Sequence, residues 1–249
     1  MKIQPEDLFL HDPIPQIDMD TVSLNGRRYY KTPTGELYPS VTTVTSSVKK
    51  QYIEEWKARV GEQEANRISR KATTRGTALH SLCEGYVANN PDYKRGVMPP
   101  TIELFNKIKP IIDEHIEIVY GIELALFSNE LKTAGRTDLF CRFMGVNTIL
   151  DFKTANKAKD KADIEDYFIQ ATTYAMMVEE MYADYKPIYI PQIAIVIAVD
   201  EAGVPGQLFV EPTTRYRGKA RKLFNDYHEN NPLPTVDSVN SIITNQSTV

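Results

Sequence analysis

Asp138 and Asp151 stand thirteen residues apart, and a short turn-forming stretch, Met144-Gly145-Val146-Asn147, lies between them. Residues 133–143 and 148–153 both read as strands, so an antiparallel pairing would bring the two carboxylates to one edge of a sheet. Lys153 follows Asp151 by two positions, which in a strand places it on the same face. Two carboxylates beside an ammonium suit a hard divalent cation with a lysine near its bound water. Mg²⁺ is commonly held by one or two carboxylates together with phosphate oxygens. Such an ion makes a nucleophile from water and neutralises charge on a scissile phosphate. The same residue types also serve as turn caps and as wet-face decoration. Asp151, however, follows the apolar run Thr148-Ile149-Leu150, and an acid that is half buried there needs partners.

The elements that must position these groups follow from periodicity. Residues 1–24 carry three prolines and read as an arm. Residues 26–39 read as a β-hairpin centred on Pro33-Thr34-Gly35, and Ser40 or a neighbouring Thr can cap the next helix. Helical patterns cover 49–70, with Trp56 and Val60 on one face, then 74–87, then 101–118, where Pro110 must kink or divide the helix. Beyond residue 120 the pattern turns to strands at 121–128, 133–143 and 148–153, a meander. A lysine-bearing loop at 155–163 leads to a helix over 164–182 with Phe168, Ala171, Ala175 and Val178 inward. The most apolar strand, 192–199, then turns back into 207–210, and a last helix begins near Pro212. The core order is α–β–β–β–α–β, an α/β sandwich with a mixed sheet and helices added in front. The expected organisation is an arm (1–24), a hairpin and helical part (25–118) compact with a core (119–230), and a loose tail (231–249).

The composition is that of an ordinary globular chain: 249 residues, 42% hydrophobic, 25% charged. Mean hydropathy is −0.37, and no apolar run approaches the roughly 20 residues that span a bilayer. The opening MKIQPEDLFLHDP has no long apolar segment, so neither a secretory signal nor a transit peptide is expected. Two cysteines, Cys83 and Cys141, are too few for a disulfide framework or a four-cysteine iron–sulfur site, and point to a reducing cytoplasm. A net charge of −4 excludes bulk-charge coating of nucleic acid and leaves room for a local basic groove.

Taken in order, Gly135-x-x-Asp138, Asp151-x-Lys153 and Gln170-x-x-x-Tyr174 resemble the PD-(D/E)xK nuclease superfamily. The likeness is to its RecB-like exonuclease branch, with its phage and mitochondrial genome-maintenance members. Arg75-Gly76-Thr77-Ala78-Leu79-His80 is similar to the helical His motif of that branch. Pro39-Ser40-Val41-Thr42-Thr43-Val44 resembles the segment that opens its phage and mitochondrial members. The likeness runs from about residue 38 to 227. It implies a restriction-endonuclease-like core, αβββαβ with a mixed central sheet flanked by helices, and an N-terminal helical extension.

The resemblance also implies roles. His80, Asp138, Asp151 and the backbone carbonyl of Phe152 would hold Mg²⁺ or Mn²⁺, with no iron–sulfur cluster. Lys153 would position or activate the attacking water. Gln170 and Tyr174 would border the site and contact DNA or the lysine, and Glu84 and Glu123 are candidate supporting acids. The implied activity is a metal-dependent exodeoxyribonuclease acting on single-stranded DNA ends in phage or bacterial replication, recombination or repair. Replication or recombination proteins would be its partners, and a bacterial cytoplasm, with a phage-encoded source, its location. The enzymatic alternatives are a duplex-degrading recombination exonuclease and a structure-specific endonuclease. An inactive DNA-binding or scaffold protein is the alternative of another class, and the presence of Asp138, Asp151 and Lys153 together speaks against it.

For DNA contacts the candidates are Lys157, Lys159 and Lys161 beside the site, Arg75 and Arg136, and Arg215 and Arg217 on the last helix. A front-end group, Lys49, Lys50, Arg67, Arg70 and Lys71, is interleaved with glutamates and reads as a solvated face. Tyr29, Tyr30, Tyr52 and Trp56 are candidates for stacking unpaired bases, although Trp56 reads more readily as a core anchor.

Overall fold

The computed structural model describes residues 8–234. Its centre is a six-stranded mixed sheet. Strands β5 (Ile116–Ser128), β6 (Thr133–Phe143) and β7 (Val146–Ala155) form the antiparallel meander. β8 (Gln192–Val199) lies parallel to β7, and β9 (Gln207–Pro212) returns antiparallel along the far edge. The β6–β7 turn has two residues, Met144 and Gly145, both in the left-handed region (φ 53° and 80°), as a two-residue hairpin requires.

The period of two is visible in the packing. Ile149, Ile193, Ile195 and Ile197 face α5 (Glu165–Met181) and α6 (Arg217–Asn230). Leu150, Phe152, Ala194 and Val196 face α3 (Glu62–Val87) and α4 (Pro99–His115). β7 and β8 are therefore covered on both sides, which explains why residues 193–199 are uniformly apolar. The chain is an α/β protein with a mixed central sheet flanked by helices. Among the described residues no helix is long and apolar enough to cross a membrane.

The amino-terminal region departs from the sequence expectation. The described part of the arm supplies two strands. β1 (Leu10–His11) adds in parallel to β5, and Asn89 holds it by accepting from the Leu8 and Phe9 amides and donating to the Phe9 carbonyl. β2 (Thr21–Leu24) pairs with β3 (Arg27–Lys31), which pairs in turn with β4 (Leu37–Pro39), so the expected hairpin, β3 and β4, is two strands of a three-stranded sheet. Ser40 does cap α1 (Val41–Ser47), its Oγ accepting from the Thr43 amide. The long front helix ends at Gly61 (φ 87°), giving α2 (Lys50–Val60) and the 26-residue α3. α4 runs through Pro110 without ending there and stops at His115, so β5 begins earlier than the pattern indicated.

The aromatic expectations divide. α2 buries no residue, and Trp56 is only partly covered, so it is no core anchor. Tyr29 and Tyr30 are buried with Leu24, Leu37, Met19 and Tyr38, which removes them as stacking platforms. Residues 235–249 of the expected loose tail lie outside the described residues.

Candidate metal centre

Three neighbouring strands each bring one acid to the same place. The register Ile122↔Leu139 and Leu124↔Thr137 sets Glu123 of β5 opposite Asp138 of β6. β6 and β7 pair as far as Leu139↔Leu150, and the next positions in register are Asp138 and Asp151. There the strand ladder gives way to a side chain, the Phe152 amide donating to Asp138 Oδ2 at 2.7 Å.

Glu123 has an unusual backbone, φ 47°, in the region that favours glycine. The alternation of β5 breaks at this residue. Ile122 packs on the α3–α4 side, whereas Leu124, two positions on, packs on the α5 side. A non-glycine residue held there costs on the order of 1–3 kcal/mol, a strain often found at functional sites.

From the other side of the sheet α3 brings His80, whose Nδ1 is 3.4 Å from Asp138 Oδ1. One ligand atom each from His80, Glu123 and Asp138 fall within 4.8 Å of one another, and all three residues are half buried. Asp151 lies beside this triad and not in it. It is 1% exposed, ion-pairs with Lys153, and accepts from Gln170 Nε2 at 3.2 Å through Oδ1. Glu84 is exposed on α3, and its charge reaches Glu123.

Tyr174 does not face solvent. It is buried, with its ring and hydroxyl against the backbone of Gly135. A Cβ on residue 135 would stand 2.9 Å from both the ring and the hydroxyl, so the glycine before Asp138 is a steric requirement of Tyr174. Gly135→Ala is accordingly expected to destabilise the fold by about 1–3 kcal/mol, measured by urea unfolding.

The charges are strongly coupled. Burial pushes the Asp151 carboxyl up to about 6, with Asp138 adding to the effect and Lys153 opposing it. Burial acts on Asp138 in the same sense but is outweighed by His80, Lys153 and the Phe152 amide, so Asp138 lies below the usual carboxylate range. His80 and Lys153 are both held above their ordinary values. Burial works against them, and the Asp138 and Asp151 carboxylates prevail. Burial, followed by Asp138 and Glu84, raises Glu123. Carboxylate oxygens with one imidazole, converging in this way, could hold a metal ion.

The basic candidates are placed unequally. Arg75 bridges Asn156 (2.6 Å) and Asp200 (2.9 Å), tying α3 to the far ends of β7 and β8. Arg136 pairs with Asp18 at 2.7 Å, and Arg217 forms a bidentate pair with Glu179 at 2.6 and 2.7 Å. Lys161 and Arg215 both pair with the buried Glu211. Lys157 is exposed and Lys159 partly so, and among the described residues neither forms an ion pair.

Sequence reasoning overlooked Tyr167, whose ring lies 5.1 Å from Lys153 Nζ. The available signal was its spacing, one helical turn before Gln170. The chain matches neither a protein-family model nor a curated protein.

Proposed function

We propose that the protein is a Mg²⁺- or Mn²⁺-dependent deoxyribonuclease of the PD-(D/E)xK type, an exonuclease of the RecB-like branch acting on single-stranded DNA ends. The αβββαβ order, counted from α4 to β8, would then be a restriction-endonuclease-like core, preceded by the helical part that carries His80. The observation that carries this reading is the convergence of His80, Glu123 and Asp138 beside the Asp151–Lys153–Gln170 group.

In this reading His80, Glu123 and Asp138 hold the cation, with Asp151 and the Phe152 carbonyl available to complete its coordination. The bound cation supplies a nucleophilic water at neutral pH and charge neutralisation on the phosphate. Lys153 orients that water, and Gln170 fixes the Asp151 carboxylate through the 3.2 Å hydrogen bond. Lys157 and Lys159 are the residues best placed to meet the phosphate backbone.

A preference for single strands is supported by α2. Tyr52 is 65% exposed, and Trp56, one turn further, is partly exposed on a helix that buries none of its residues. Aromatic rings presented in this way stack on unpaired bases. Tyr52→Ala combined with Trp56→Ala should weaken binding of single-stranded DNA by about 1–3 kcal/mol per stacked base, read by fluorescence anisotropy. Linear and circular single-stranded DNA of one sequence separate the modes of cleavage. Digestion of the linear form alone is the expected result, and cutting of the circle would replace the exonuclease reading with an endonuclease.

A further inference from the structure

We infer that Tyr167 is a positioning residue that steers the Lys153 ammonium toward the carboxylates with the face of its ring, the phenol hydroxyl being dispensable. The inference rests on the nuclease reading of the site. α5 carries Tyr167, Gln170 and Tyr174 at i, i+3 and i+7, on one face of the helix. Gln170 donates to Asp151, Tyr174 lies against Gly135, and Tyr167 completes the row over Lys153. A lysine ammonium is a point charge on a flexible stem, and an ion pair alone leaves its direction loosely defined. Lys153 Nζ is paired with Asp151 and stands 5.1 Å from the Tyr167 ring centroid, within reach of the ring's negative face.

The ring is itself held. Lys49 Nζ lies 5.7 Å from the same centroid and forms an ion pair with Asp166 at 2.7 Å, which ties the start of α5 to the junction of α1 and α2. Tyr167 is partly buried, so its ring is set by packing before any substrate arrives. Three side chains on one helix face thus fix three parts of the site: the lysine, the carboxylate and the strand backbone.

Tyr167→Leu and Tyr167→Phe, compared in two measurements, test the inference. In DNA cleavage, Tyr167→Leu is expected to lose about tenfold in kcat with KM nearly unchanged, and Tyr167→Phe to recover to within about twofold of wild type. In ¹H–¹³C spectra of the metal-free protein, the Lys153 ε-methylene, assigned by its disappearance in Lys153→Arg, should be shifted upfield by the ring. That shift should persist in Tyr167→Phe and vanish in Tyr167→Leu. An unmoved Lys153 signal in Tyr167→Leu would overturn the inference, as would an equal kcat loss in both variants. If wild-type protein cleaves no DNA, the nuclease reading fails on its own, and the spectra still decide whether the ring holds the lysine.

Discussion

Replacing Asp138 by alanine is expected to lower metal-dependent DNA cleavage by at least about 10³-fold. This carboxylate does three things at once. It faces Glu123 across the β5–β6 pair, it lies 3.4 Å from His80, and it accepts the Phe152 amide at 2.7 Å. On the proposed reading its removal would take away the ligand between His80 and Glu123, and Asp151, paired with Lys153 and Gln170 outside the triad, does not occupy that place. Single-turnover cleavage measures the loss. Calorimetric titration with Mn²⁺ should show weakened binding in the same variant. Asp138→Asn separates chemistry from folding, since the amide oxygen can still accept from Phe152 while the charge is gone. Activity in Asp138→Asn within tenfold of wild type would contradict this assignment.

The second large effect is a pH-dependent difference in stability between wild type and Asp151→Asn, both free of metal. The Asp151 carboxyl is raised by burial to about 6 from an ordinary 3.8. Between those two values the folded state binds more protons than the unfolded state, so this group removes stability as the pH rises through that window. The variant lacks the group, and the difference in unfolding free energy should therefore move in its favour between about pH 4 and pH 6. At 1.36 kcal/mol per decade of proton concentration, the ceiling is about 3 kcal/mol. Any constant cost of the amide cancels in the comparison across pH. Lys153 keeps the Asp138 carboxylate as a counter-charge, so the variant does not bury a lone cation. A divalent cation should oppose the trend in wild type, because binding to the folded state stabilises by mass action. Urea unfolding at stepped pH tests this directly. A flat difference across the window would show that the Asp151 carboxyl is not raised by burial.

The strands that carry the site were legible because their period of two is strong. Residues 148–153 and 192–199 alternate or run apolar in the manner that coverage on both faces dictates. That legibility extends to Asp138, Asp151 and Lys153, whose relative placement depends only on strand geometry and a two-residue turn. His80 and Gln170 come from helices on opposite faces of the sheet, and their arrival at the same point is tertiary information. Glu123 was readable only as a supporting acid. Its place in the triad depends on a left-handed backbone that breaks the very alternation used to read β5.

Elsewhere local signals were overridden by partners distant in the chain. β1 has two residues, paired with β5, and Asn89, some eighty positions away, anchors the chain just before it through Leu8 and Phe9. Arg75 and Arg217 look like free cations in the sequence, yet they are neutralised by Asp200 and Glu179 from other elements. Tyr29 and Tyr30, neighbours in β3, are buried in separate clusters that the β2–β3–β4 sheet creates. Charge and aromatic character say what a side chain is able to do, and only the fold says whether it is free to do it.

The most direct test of the nuclease account is incubation of end-labelled single-stranded and duplex DNA with wild type, Asp138→Ala and Lys153→Ala, in Mg²⁺, Mn²⁺ or EDTA. The account predicts metal-dependent shortening of single strands from their ends, abolished by EDTA and by Asp138→Ala and strongly reduced by Lys153→Ala. Intact DNA in both metals with folded wild-type protein, or cleavage that survives EDTA and both substitutions, would contradict it.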